Sequence, residues 1–152
     1  MSSQIMNNNL IDGIVSRYVK PSFIKNNIIS NDLFDLRDMT PPEEFVSFYK
    51  VDDIDEDIRF TTAKSCLRMS ISQNGAIVLL DIDEVLDEIN DEEIDIISFT
   101  EQNLPHCGLN YITSSLTKIQ EAKTTLSYLA SQRFKFIKDI KKLELKINDE
   151  KI

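Results

Sequence analysis

The chain has little of the material from which common active sites are assembled. Its single histidine, His106, cannot supply a two-imidazole zinc site, and its two cysteines, Cys66 and Cys107, are too far apart for the paired spacing of a structural one. Three dispersed glycines, Gly13, Gly75 and Gly108, form neither a P-loop nor a dinucleotide-binding turn. No apolar run approaches the roughly 18 residues of a membrane span, and the N-terminal stretch has no basic region followed by an apolar core. The expectation is a soluble cytoplasmic protein without metal or cofactor, its cysteines two thiols rather than a bridge. His106 and Cys107 are adjacent, but sequence neighbours often point apart, so adjacency does not make them base and nucleophile.

Carboxylate is what the chain has in abundance. It carries 26 acidic and 17 basic side chains, a formal net charge of -9. Residues Asp81 to Asp95, DIDEVLDEINDEEID, hold nine of the carboxylates and no Lys or Arg. The charge is also polarised: residues 1–110 carry 21 acids and 8 bases, residues 111–152 carry 5 acids and 9 bases. Such a balance repels phosphate backbones, so nucleic acid is not the expected partner. At 152 residues the chain suits one domain, with roughly 70% of its unfolded surface removed from water. Ile occurs 21 times and Ala only 4, a bias that fits an AT-rich bacterial or phage genome.

The expected class is α+β: a small, mostly buried short sheet, several short helices and one long C-terminal amphipathic helix. A flexible N-terminus is expected over 1–9, one globular domain over 10–147 and a flexible tail over 148–152. Leu10, Ile14 and Tyr18, with Ile11 and Val15 beside them, predict a helix over 10–19, stopped by Pro21. Thr40-Pro41-Pro42-Glu43 has the order of a capping box and predicts a helix whose inward face is Phe45, Phe48 and Tyr49, although FVSFYKV also fits a strand. Thr61 or Thr62 is expected to cap a helix with Ala63, Cys66, Leu67 and Met69 or Ile71 inward, ended by the Asn74-Gly75 turn. AIVLLDI reads as a strand buried on both faces, with IDIISFT from Ile94 as its neighbour and LPHCGL as a loop. From Asn110 to Ile147 neither Gly nor Pro interrupts a stripe of Ile112, Leu116, Ile119, Leu126, Ala130, Ile137, Ile140 and Ile147, which predicts a helix over 110–147. Unbroken, it would be on the order of 55 Å long and would have to project, bend or find a partner.

In the acidic segment Val85, Leu86 and Ile89 have helical spacing, so Asp87, Glu88, Asp91 and Glu92 point largely outward. Asp83 with Asp87, Glu84 with Glu88, Asp87 with Asp91 and Glu88 with Glu92 are like-charge pairs one turn apart, each destabilising by a few tenths of a kcal/mol. A solvated face, a metal site and a surface for a basic partner are all open readings. The partner could equally be the chain's own lysine-rich end. Asp53-Ile54-Asp55-Glu56-Asp57 alternates oxygen ligands like a calcium loop, but Ile58 and Lys64 stand where Gly and a bidentate Glu belong.

The segment RFTTAKSCLRMSISQNGAIVLLDI, residues 59–82, resembles the strand end, Thr-capped helix, turn and buried strand of small ADP-ribosyltransferase-like domains. That resemblance implies a nicotinamide dinucleotide substrate, a catalytic Glu on a later strand, for which Glu101 is placed, and an Arg near the sheet's start, for which Arg59 is available. The expectation taken forward is instead a protein-binding module, an acidic inhibitor of immunity-protein or antitoxin type. Asp83, Glu84, Asp87, Glu88, Asp91 and Glu92 would contact a basic partner protein, with Leu86 or Ile89 as apolar anchor. The alternative is an assembly subunit associating through Phe136, Ile140, Leu143 and Ile147, as a homo-oligomer or within a larger complex.

Overall fold

Ala76–Asp81 forms a strand that is buried on both faces, and the rest of the molecule is arranged around it. The computed structural model describes residues 9–37, 40–52, 54–67 and 71–140. In chain order the strands are β1 (Asn9–Leu10), β2 (Ile14–Val19), β3 (Ile24–Lys25), β4 (Ile28–Ile29), β5 (Val46–Lys50), β6 (Ala76–Asp81), β7 (Ile97–Glu101), β8 (His106–Tyr111) and β9 (Phe134–Phe136). The α-helices are α1 (Glu56–Ser65), α2 (Ile82–Ile89) and α3 (Leu116–Ser131). Seven strands make one sheet in the order β1-β7-β8-β5-β2-β6-β9, all neighbours antiparallel, while β3 and β4 form a separate hairpin. Among the described residues no helix is long and apolar enough to cross a membrane.

The α+β class holds, but the sheet is larger than expected. On one face Val15, Phe48, Val78, Leu80, Phe99 and Leu109 pack against Leu126 and Ala130 of α3, Ile82 and Val85 of α2, and the 3-10 turn with Leu33 and Phe34. On the other face Ile77 and Leu79 of β6 and Ile14 of β2 lie under Phe60 and Ala63 of α1, together with Ile137 and Ile140. The unbroken apolar run of β6 therefore has the cause anticipated for it, cover on both sides.

Several expected elements are corrected. Residues 10–19 are not a helix: β2 pairs with β6 from Ile14↔Asp81 to Val19↔Ala76. The spacing that suggested a helix, Leu10-Ile14-Tyr18 and Ile11-Val15, consists of steps of four. Such steps keep a side chain on one face of a strand as well as of a helix. Gly13, at φ +114°, also breaks any helix there. The Thr40 capping box does not form, because the Glu43 carboxylate accepts from the Arg37 backbone N–H at 2.6 Å and from its guanidinium at 2.8 and 3.0 Å. Phe48 and Tyr49 belong to β5, Val46 and Phe48 inward, Ser47 and Tyr49 on the opposite face.

β7 is not the neighbour of β6, since β2, β5 and β8 lie between them. LPHCGL is largely strand: β8 alternates Cys107 and Leu109 into the core and closes a hairpin with β7. The long helix is corrected as well. α3 covers only 16 residues, capped by Ser115, whose hydroxyl accepts from the Lys118 N–H at 3.3 Å. After Arg133 the chain pairs as β9 along β6, Ala76↔Phe136 to Val78↔Phe134. The outer edge of a buried strand has backbone groups to satisfy, and β9 satisfies them. α1 begins at Glu56 rather than at Thr61, because the Asp55 carboxylate accepts from the Ile58 N–H at 3.1 Å and caps it. Asp53, Met69, residues 1–8 and the expected tail over 148–152 fall outside the described residues, while Asn9, the last residue of the expected N-terminal tail, belongs to β1.

Cys66 and Cys107 are both thiols and do not bridge. Burial pushes the fully enclosed Cys107 thiol up to about 12. Native protein exposed to a thiol reagent at neutral pH is expected to keep Cys107 unmodified until it unfolds, as mass mapping of the alkylated site would show.

Candidate functional site

The acidic segment continues directly from β6. Asp81 ends the strand and caps α2, its carboxylate accepting from the N–H groups of Asp83 at 3.0 Å and Glu84 at 3.4 Å. Ile82 and Val85 are buried, and Leu86 and Ile89 pack partly against the same core. Asp83, Glu84, Asp87 and Glu88 are left exposed, as their spacing implies. The two acids of the first turn suit the positive end of the helix. The helix stops at Ile89, so Asp91 and Glu92 are not on it, and two of the four expected one-turn repulsions do not arise.

Beyond Ile89 the chain enters a pinned loop. The Asn90 side chain accepts from the N–H groups of Ile96 at 2.7 Å and Ile97 at 3.0 Å and donates to the Ile97 carbonyl at 2.9 Å. One amide thus occupies the edge of β7 as a strand residue would. The Asp91 carboxylate accepts from the N–H groups of Ile94 at 2.7 Å and Glu93 at 2.8 Å. These two donors, Ile94 first, hold Asp91 below the usual carboxylate range, aided by the more distant Lys118.

A groove of about 620 Å³ runs between α2 with its loop and the β1–β7 edge. Asp83, Leu86, Asp87 and Asn90 line it from the helix side, Asp91, Glu92 and Asp95 from the loop, and Leu10, Ile11, Ile97, Ser98 and Phe99 from the sheet. Four of the six carboxylates expected to meet a partner are thus gathered at one groove. Glu84 and Glu88 line a different side of α2. Leu86 reaches the groove while half-buried, and Ile89 does not. Asn90, Asp95, Leu10 and Ile11 were not anticipated. Only Asn90 had a local signal, as the one uncharged polar residue inside the acidic run.

Among the described residues the ion pairs form elsewhere. Lys123 pairs with Asp35 at 2.6 Å, Arg133 with Glu56 at 2.6 Å and Lys135 with Asp57 at 2.5 Å. Lys64 donates to the carbonyls of Ile137 and Ile140. Among the described residues no Lys or Arg comes within 4.0 Å of a carboxylate from Asp83 to Asp95. Arg133 draws down Glu56 most, with Arg59 at 2.9 Å on its other side, to about 2. A depressed carboxylate stabilises the fold above its ordinary value near 4.5, and that stability is lost as pH falls toward 2. Glu56 is 40% exposed, so screening limits the effect: Glu56→Gln is expected to cost about 1 kcal/mol at pH 7 and almost nothing near pH 2, read from denaturation midpoints at both pH values.

The other candidates are dispersed. Phe136 lies half-buried on β9 and Ile140 is only 6% exposed beneath α1, so neither presents a helical seam. Leu143 and Ile147 fall outside the described residues. Arg59 sits on α1, which packs over β2 and β6, whereas Glu101 ends β7, four strand positions from β6, roughly 19 Å across the sheet. Asp55 of the calcium-like run is a helix cap, and among the described residues no three His, Cys, Asp or Glu side chains are grouped as a metal would require. No known protein family, curated protein or solved structure matches the chain.

Proposed function

We propose that the protein is a binding module that neutralises a basic partner protein through residues 81–95, an acidic inhibitor of immunity-protein or antitoxin type. One observation carries the reading. Asp83, Glu84, Asp87, Glu88, Asp91, Glu92, Glu93 and Asp95 are all exposed and have no cation within 4.0 Å among the described residues, while Lys123, Arg133 and Lys135 form ion pairs with other carboxylates. No direct ion pair neutralises the segment among the described residues, and Lys142 and Lys146 of the lysine-rich end lie outside them. A surface left at high negative potential accelerates encounter with a cationic protein and rejects anionic ones. The pinned loop adds preorganisation, so little ordering is left to oppose association.

Affinity capture of the tagged chain from its source cells tests this, with Asp87, Glu88, Asp91 and Glu92 changed together to Asn or Gln as comparison. A basic protein held by the original in low salt, released as salt rises and lost from the variant is the expected outcome. Capture of the same proteins by both forms would remove the acidic segment from the function.

A further inference from the structure

We infer that the groove between α2 and the β1–β7 edge seats an individual long-stemmed cationic side chain, an arginine or lysine of a partner protein. The inference rests on the acidic-face reading and narrows it to one place. Asp83, Leu86, Asp87 and Asn90 form a single ridge of the helix end at i, i+3, i+4 and i+7, and all four line the groove opposite Leu10 and Phe99. Its volume of about 620 Å³ leaves room for an arginine or lysine side chain.

The lining has two chemistries in one depression. Leu10 and Leu86 are half-buried and offer carbon to be covered, while Asp83 and Asp87 have no cation within 4.0 Å among the described residues. A bare metal ion would leave the carbon wet. A purely apolar group would draw the carboxylates out of water without compensation. Arginine and lysine match both, with an aliphatic stem that covers apolar surface and a charged head that keeps contact with carboxylate. The Asn90 clamp holds the ridge's end against β7, so the groove exists before anything enters it.

The helix supplies its own control. Glu84 and Glu88 carry the same charge on the same element but do not line the groove. The full chain would be titrated, by calorimetry and amide NMR, with acetyl-Gly-Arg-Gly-Arg-Gly-amide and with the same peptide carrying citrulline for arginine. The arginine peptide is expected to shift the Leu86 and Phe99 amides. Asp83→Asn with Asp87→Asn should weaken it about tenfold, and Glu84→Gln with Glu88→Gln less than about twofold, because both pairs alter the long-range field equally. Citrulline should remove the binding. Each double variant relieves one like-charge pair and removes one first-turn acid, effects of opposite sign and similar size, so the two variants should melt at about the same temperature as each other.

Equal weakening by the two double variants, or no localised shift with the arginine peptide, overturns the inference. Should capture of a basic protein still depend on the segment in that case, the broader reading stands without the groove. If the peptide seats in the groove while capture ignores the carboxylates, the groove stands and the broader reading falls.

Discussion

Phe48→Ala is expected to cost about 3–5 kcal/mol, enough to bring a domain of this size close to unfolding. Phe48 is 1% exposed at the middle of β5. Its ring stacks on Phe34 at 6.5 Å and meets Phe99 edge-on at 5.9 Å, and the Arg17 guanidinium lies over it at 5.9 Å. Removing it opens a cavity against three elements that cannot all collapse inward together. It also strips the ring from a guanidinium that burial already holds below its ordinary basicity and that donates to the Leu33 and Ser47 carbonyls, with the Glu43 carboxylate favouring its charge. A denaturant midpoint that falls by this amount with an unchanged slope would agree. A loss below about 1 kcal/mol would contradict the enclosed position on β5.

The second large effect concerns Asn90. Replacement by alanine leaves the N–H groups of Ile96 and Ile97 and the carbonyl of Ile97 without their partner, in residues that are 8% and 1% exposed. Orphaned buried groups cost more than the hydrogen bonds were worth, and the expected loss is about 2–4 kcal/mol. Asn90→Asp keeps the acceptor but sets a carboxylate oxygen against the Ile97 carbonyl and adds a charge to an acidic segment, so it too should lose stability. Amide exchange at Ile96 and Ile97 should quicken in both variants while β6 amides keep their protection, because the opening is local. A uniform rise across the sheet would mean that Asn90 supports the whole fold rather than the loop. Since the loop carries Asp91, Glu92 and Asp95, the alanine variant should also weaken the proposed contact with a basic partner, without altering any charge.

The two sites bear on how far the amino-acid order could be read alone. β6 was legible because five consecutive apolar residues, Ala76 to Leu80, leave no solvent face. α2 was legible because Val85, Leu86 and Ile89 share a helical stripe among acids. β2 and β5 were not. Steps of four residues satisfy a helix and a strand alike, and the decision came from β6, whose six-residue ladder with β2 satisfies backbone groups on both strands. The same demand at the other edge of β6 took Phe134–Phe136 out of a helical pattern and made them β9.

By itself, then, the order of residues determined the charge and its concentration in Asp81–Asp95, the exclusion of common metal and nucleotide motifs, and the local elements whose periodicity has one solution. Those are properties of composition and near-neighbour spacing. The tertiary structure alone decided which carboxylates share a groove, because that depends on β1 reaching β7 across most of the chain, with Leu10 opposite Phe99. It also decided that the acidic segment stays unneutralised among the described residues. Coulomb attraction would have allowed the basic side chains around α3 and β9 to close on α2. Packing of α1 and β9 on β6 instead brings Arg133 to Glu56 and Lys135 to Asp57, and leaves the carboxylates of α2 and its loop facing water.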